Sequence, residues 1–133
     1  MITSLSEQKC FDLLRTTTVG RFGFVRDARV QIIPVNYFLD DRDIVVRTAP
    51  DSVLSMLPAS ELEVAFEVDH HDDLAGTGWS VLLNGTVSAM PVDELDAVPA
   101  SGRVHPWAGG DRDLPLRLHV HAVSGRSVQR PRR

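Results

Sequence analysis

The chain has 133 residues, a formal net charge of −4 at pH 7 and a single cysteine. This length fits one domain that can fold without disulfides, and a lone Cys10 excludes both an intramolecular disulfide and a multi-cysteine metal site. The acidic balance argues against a nucleic-acid-binding protein, and no apolar run approaches the ~20 residues that a membrane helix needs. Because no charged-then-apolar leader is present either, we expect a cytoplasmic protein that binds neither nucleic acid nor membrane.

The N-terminal segment predicts a helix followed by the first strand. Ser4 or Ser6 can cap the helix, and apolar residues recur at helical spacing as far as Leu14. Three β-branched threonines then end the helix, and Val19–Val25 alternates as a strand does. Since Cys10 falls on the amphipathic helix, we expect a buried or half-buried thiol rather than a nucleophile.

The stretch from Arg29 to Ser52 predicts a hairpin. Two runs rich in β-branched and aromatic residues, Val30–Leu39 and Ile44–Thr48, flank a short connection of charged turn-forming residues. The first run contains Pro34, which cannot donate to a ladder and therefore indicates a strand edge, a bulge or a contact with something other than a strand.

The end of this hairpin has the composition of an anion site. The sequence R-T-A-P-D-S places Arg47, the hydroxyls of Thr48 and Ser52, and the turn amides around Ala49 close together. Cations and backbone N–H groups that converge in this way can hold a phosphate. The alternative is an ordinary hairpin with an exposed arginine.

The remaining chain predicts three more strands, two short helices and two loops. The strands are Glu61–Val68, Trp79–Met90 with a bulge or corner at Gly85, and Leu116–Val123; the helices are Asp51–Leu57, stopped by Pro58, and one turn at Asp93–Val98; the loops are His70–Gly78 and Pro99–Asp113. The basic residues at the C-terminus predict a solvated end.

Six strands at hairpin spacing with few helical crossovers indicate a mainly β, antiparallel barrel with a few short helices. We expect one domain over residues 1–133, with a basic tail at about 127–133. The common nucleotide-binding folds are not supported, because the chain has neither a Gly-x-Gly-x-x-Gly motif nor a Walker loop.

Other candidate chemistry is weaker. His119 and His121 share a strand face and could form a metal pair with another histidine, but such spacing is common and we predict no metal site. Ser80 or Ser101 could join a histidine and an aspartate, yet no Gly-x-Ser-x-Gly elbow accompanies them, so a hydrolase is not predicted. Arg117 faces outward by alternation, which favours a salt bridge.

Taken in order, several segments resemble one family. They are L-L-R-T-T-T-V-G-R-F-G-F-V, I-I-P-V-N-Y, V-V-R-T-A, V-A-F-E-V-D, G-W-S-V-L-L-N-G and H-P-W-A-G-G-D. Their order and spacing resemble the pyridoxamine 5′-phosphate oxidase-like, FMN-binding split-barrel family, in particular its small actinobacterial members, over about residues 5–126. The resemblance implies a six-stranded split barrel of Greek-key type, a homodimer with a flavin in each cleft between subunits, and oxidoreduction of a small molecule.

The resemblance also implies which residues contact the cofactor. It places Ile33, Pro34, Val35 and Asn36 beside the flavin ring, partly through backbone groups; Arg47, Thr48, Ala49 and Ser52 at the phosphate; Trp79 and Ser80 near the ring or cleft; and Trp107, with Pro106, over the cleft, from the other subunit. No catalytic side chain is expected, because the ring carries the redox chemistry.

One position departs from the family pattern. Where relatives carry a lysine or arginine just beyond the turn, this chain has Val53, and Asp51 adds a like charge to that of a phosphate. One missing charge-assisted contact costs about 1.5–3 kcal/mol, roughly ten- to a hundredfold in affinity. FMN is therefore the first expectation and a deazaflavin coenzyme the second; the alternative is a non-catalytic dimer that binds flavin, haem or another small ligand at a degenerate site.

Overall fold

The computed structural model describes residues 1–96 and 114–131, except the side chains of Val92 and Asp96. The strands within these ranges are β1 (Ile2–Ser4), β2 (Val19–Arg26), β3 (Arg29–Asp40), β4 (Asp43–Thr48), β5 (Glu63–Asp72), β6 (Thr77–Ala89) and β7 (Leu114–Gln129). The helices are α1 (Glu7–Leu14), α2 (Leu57–Ser60) and α3 (Val92–Asp96), with a 3₁₀ turn at Val53–Met56 before α2.

The strands form one antiparallel sheet that closes on itself. Its order is β1-β7-β4-β3-β2-β5-β6, and a further pairing of β6 with β7 completes the ring. The mainly β barrel predicted from hairpin spacing is therefore confirmed, and each of the six predicted strands is present. β1 is a seventh strand, which a three-residue segment without alternation did not signal.

The core lies inside the barrel because inward positions alternate with outward ones along each strand. The rings of Phe22 and Phe66 meet edge to face at 4.9 Å between centroids, and Tyr37 meets Phe66 in the same way at 5.3 Å. Helix α1 packs against this core through buried residues that include Cys10. The predicted buried thiol is confirmed, and burial raises its pKa.

A bulge interrupts the pairing of β6 with β7, at the glycine where the sequence predicts a bulge or corner. Asn84 lies opposite Ala122 but Gly85 lies opposite Val120, so β7 carries one extra residue, His121. A Cβ on Gly85 would lie 1.9 Å from the carbonyl oxygen of His119, which explains why only glycine fits.

The bulge reverses the alternation of the last strand, in which the sequence predicts that Ala122 lies on the same face as Leu116 and Leu118, and Val123 on the other face. Val123 packs against the core and Ala122 is exposed, the opposite of the uninterrupted pattern. An extra residue on one strand moves every later side chain to the other face.

Strand pairing extends into two segments that the sequence analysis assigned to a loop and to the tail. β5 runs to Asp72 and β6 begins at Thr77, so most of the predicted loop at residues 70–78 is a hairpin. β7 runs to Gln129, so residues 127–129 of the predicted tail are paired with β6 and with β1, where Val128 faces Ile2.

The first helix agrees with the prediction, whereas the second predicted helix, Asp51–Leu57, is a 3₁₀ turn at Val53–Met56 and the α-helix begins only at Leu57. Ser6 caps α1 by accepting a hydrogen bond from the backbone N–H of Lys9. Pro58 does not stop the second helical segment but lies in the first turn of α2. Proline is tolerated there because a backbone N–H in the first turn would have no acceptor within the helix. The predicted turn at residues 93–98 matches α3 as far as residue 96; residues 97–98 and the loop at 99–113 lie outside the described residues. Within the ranges described, no helix has the length and apolarity needed to cross a membrane.

Candidate functional site

The first half of β3 forms an open sheet edge. β2 pairs with β3 from Arg29 to Asn36, whereas the pairing with β4 begins only at Tyr37. In the described part of the chain, the side of β3 that faces away from β2 therefore has no neighbouring strand over residues 29–36. Pro34 lies in this segment, so the prediction of an edge position is confirmed. Such an edge can hydrogen-bond a planar ligand through backbone groups.

The turn after β4 lies at the end of this edge. Arg47 and Thr48 are the last residues of β4, and Asn36 immediately precedes the first residue of β3 that pairs with β4. The hydroxyls of Thr48 and Ser52 are 2.7 Å apart, and the N–H of Ser52 donates to the carbonyl of Ala49 at 3.0 Å. The predicted phosphate cluster is thus one tight turn beside the open edge.

Alternation along the strands decides which predicted side chains can reach a ligand outside the barrel. Ile33 packs against the core and Val35 is buried, so these two can offer only backbone groups. Pro34 is exposed, and Asn36 and Arg47 are half-buried. The alternative of a fully exposed arginine does not hold for Arg47.

A charged cluster missed by sequence reasoning lies next to Pro34. Arg21 on β2 pairs with Pro34, and its guanidinium lies 2.8 Å from Glu67 and 3.5 Å from Asp69 on β5. Burial, and then the neighbouring Asp69, raises the pKa of Glu67, while Arg21 acts in the opposite direction. The sequence signal was Arg21 itself, a cation on the face of β2 opposite its two phenylalanines.

The same outer surface is apolar on the other side of this cluster. Val25, Val30 and Ile32 are 55%, 73% and 67% exposed on the β2–β3 hairpin. A depression of about 280 Å³ lies between Ile32 and Ala65, floored by Gly23. Val25 pairs with Val30 across this hairpin, so these exposed apolar side chains adjoin one another.

Trp79 and Ser80 lie at a different place in the structure of the chain. They line a groove of about 630 Å³ beside the β5–β6 hairpin, together with Asp69 and Arg126. Across the sheet, Pro34 pairs with Arg21, Arg21 with Glu67, and Glu67 with Leu82, so Leu82 lies three strand spacings, roughly 14 Å, from Pro34. Ser80 lies two residues before Leu82 on the same outward face. Trp79 and Ser80 are thus separated from the Arg47 turn, and Trp107, the remaining predicted contact, lies outside the described residues.

The histidines do not form a metal site in the part of the chain that the structure describes. No group of three or more His, Cys, Asp or Glu side chains there is close enough to hold an ion. The salt bridge expected for Arg117 is confirmed, since its guanidinium lies 2.6 Å from Asp40 and 3.2 Å from Asp43.

Comparison with known proteins identifies the family. The model of the pyridoxamine 5′-phosphate oxidase family matches residues 6–127. An uncharacterised protein of Mycobacterium tuberculosis is 30% identical over 129 residues, which cover 93% of this chain and 84% of that protein.

Solved structures give the same result. A conserved protein of unknown function from Corynebacterium diphtheriae is 30% identical with a TM-score of 0.76, over 96% of this chain and 98% of the other. The FAD-binding protein from Mycobacterium smegmatis is 25% identical with a TM-score of 0.72, over 97% and 100%. The chain therefore belongs to the pyridoxamine 5′-phosphate oxidase family and has its split-barrel fold.

Proposed function

We propose that two copies of this chain bind flavins in the clefts between them and catalyse oxidation or reduction of a small molecule. The observation that carries the proposal is the open β3 edge ending at the Arg47 turn. An edge strand supplies hydrogen-bonding groups for a flat polar ring, and a turn with a cation and two hydroxyls supplies contacts for an anionic tail. The family membership supports the same assignment.

The residues present fit a flavin, with one cation fewer than the family pattern. Arg47 is half-buried at the turn, where it can approach a phosphate together with Thr48 and Ser52. Neither of the next two candidates supplies a positive charge, because Val53 is an uncharged residue packed against the core and Asp51 is an exposed acidic residue. We therefore expect the chain to hold the phosphate mainly through Arg47 and the turn.

A bound flavin would supply the redox chemistry of its ring. The chain would orient it, with the backbone of Ile33 to Asn36 along one side and the Arg47 turn at the phosphate. The second subunit would exclude water and contribute Trp79 and Ser80, which one protomer does not bring to the Arg47 turn. A proton-transferring side chain is not required, because the protein's part in such a site is orientation and electrostatic tuning.

The kind of flavin is open to direct test. FMN is our first choice and a deazaflavin the second; FAD is a further candidate, since the similar Mycobacterium smegmatis protein binds it. Titration of the purified protein with each compound, followed by fluorescence, gives the three dissociation constants. We expect FMN to give the lowest of the three dissociation constants.

We predict that Arg47→Ala weakens flavin binding about ten- to a hundredfold, because it removes a charge-assisted contact worth roughly 1.5–3 kcal/mol. Arg15→Ala is the matched control, since Arg15 is exposed on the C-terminal side of α1 and the charge change is the same. Equal affinities of Arg47→Ala and the unmodified protein would show that the phosphate lies elsewhere.

A second candidate is a dimer that binds flavin, haem or another small ligand without catalysis. Val53, packed on the core where the family pattern has a cation, favours it. The two candidates differ in one measurement: an oxidoreductase cycles its bound flavin between oxidised and reduced states with an added donor and acceptor, whereas a binding module does not turn over.

A further inference from the structure

A serine, a histidine and an aspartate meet on the outer face of β4, β7 and β6. Ser88 Oγ lies 2.9 Å from His119 Nε2, and His119 Nδ1 lies 3.5 Å from Asp43 Oδ2. None of the three belongs to the proposed flavin site. We propose that Ser88, His119 and Asp43 form a nucleophilic site that accepts acyl groups from small activated esters.

The strand register brings the three together. β4 pairs with β7 through Ile44 and Leu118, so Asp43 and His119 are the next residues along and face outward. Ser88 on β6 lies opposite Arg117, one diagonal step from His119. The extra residue of the β7 bulge, His121, lies two residues beyond His119, and bulges are used to aim nearby side chains at sites.

The contacts assign a role to each residue. An ionised Asp43 can only accept, so the neutral imidazole carries its proton on Nδ1 and leaves Nε2 to accept from the Ser88 hydroxyl. Asp43 is itself held, since its oxygens accept from Arg117 Nη1 at 3.2 Å and from the N–H of Val120 at 3.4 Å. This is the order of nucleophile, general base and orienting group.

The step balances without a further reactant. Ser88 Oγ forms a bond to the ester carbonyl carbon and its proton passes to His119 Nε2. The imidazolium gives that proton to the leaving alkoxide or phenolate, which departs with the electron pair of the broken C–O bond. Water then attacks the acyl-serine and gives a proton to the neutral imidazole, which passes it to Ser88 Oγ as the acyl–oxygen bond breaks and the carboxylic acid is released.

The test uses p-nitrophenyl acetate and the complete chain. We expect a burst of p-nitrophenolate and an acetyl group on the tryptic peptide that contains Ser88. Background acetylation of lysine and cysteine is limited, because the chain has one lysine and one cysteine, and that cysteine is buried. Ser88→Ala should lower the burst rate tenfold or more, while Ser124→Ala, at an exposed serine of β7, should leave it unchanged.

The histidine is tested separately. His119→Ala should abolish the acetylation of Ser88, and added imidazole should restore part of that acetylation, a rescue that a structural role would not show. The proposal is overturned if Ser88→Ala, folded as judged by its circular dichroism, is acetylated at the same rate, or if the acetyl group is on Lys9 or the N-terminus.

Discussion

Tyr37 ties the segment after α1 to the barrel. Its hydroxyl donates to the carbonyl of Leu14 at 2.6 Å and lies 2.7 Å from the hydroxyl of Thr17. The side chain is 1% exposed, and burial raises its pKa from 10.0 to about 12, although the Thr17 hydroxyl opposes the shift. The ionised form is therefore disfavoured in the folded protein.

We predict that Tyr37 makes the free energy of unfolding depend on pH in the alkaline range. Because the folded-state pKa is raised, its contribution is complete below pH 10 and is lost as pH rises from 10.0 to about 12. Tyr37→Phe should lower the free energy of unfolding by roughly 1–2 kcal/mol at pH 7, by leaving the Leu14 carbonyl unpaired, and should lose less stability than the unmodified protein between pH 10 and 12. Urea unfolding at several pH values measures both effects. The phenolate absorbance of the single tyrosine should titrate near its ordinary pKa if the expectation is wrong.

Single residues were predictable where their neighbours in sequence decide their surroundings. Alternation alone placed Arg117 outward and in a salt bridge, and helical spacing placed Cys10 in the core. The contact of Tyr37 with Leu14 and the meeting of Ser88 with His119 join positions on separate elements. Such pairs depend on strand register, which no short motif encodes.

The β2–β3 turn has an unusual residue at a left-handed position. Asp27 and Ala28 have φ values of 51° and 62°, and they connect the paired residues Arg26 and Arg29. Two-residue turns of this kind favour Asn or Asp followed by Gly, because an L-residue with a Cβ is strained in this region.

We expect Ala28→Gly to raise the free energy of unfolding by about 0.5–1 kcal/mol, since relief of the strain exceeds the added flexibility of the unfolded chain. Ala59→Gly is the matched control: Ala59 is exposed in α2 and should lose up to ~1 kcal/mol. Thermal unfolding compares the two, and a Tm that falls in Ala28→Gly as it does in Ala59→Gly would contradict the interpretation.

Elements were predictable in type and less so in extent. β-Branched alternation identified six strands, and Gly85 marked the bulge, because those features act within a few residues. The extended β5–β6 hairpin and the far end of β7 were missed since their polar sequences become strands by pairing with each other and with β1. The open β3 edge was indicated by Pro34, but its position beside the Arg47 turn follows from the register alone.

At the scale of the whole molecule, the candidate site occupies one part of the barrel surface and the exposed apolar residues lie beside it. Arg21, paired with Pro34, also bonds Glu67, and the apolar surface of Ile32, Val30 and Val25 continues along the hairpin. A second copy of the chain that covered this surface would also enclose the open edge. Dimerisation and flavin binding are therefore expected to fail together.

Ile32→Glu tests this coupling. Ile32 is 67% exposed in the protomer, so a substitution there should change protomer stability by no more than about 0.5 kcal/mol. At an interface the same change would bury an unpaired carboxylate, and we expect a monomer in sedimentation with at least tenfold weaker flavin binding. Leu74→Glu is the matched control, because Leu74 is fully exposed in the β5–β6 turn and should stay dimeric with unchanged affinity. A dimeric Ile32→Glu would place the interface on another face, and a monomer with full affinity would mean that one protomer completes the flavin site.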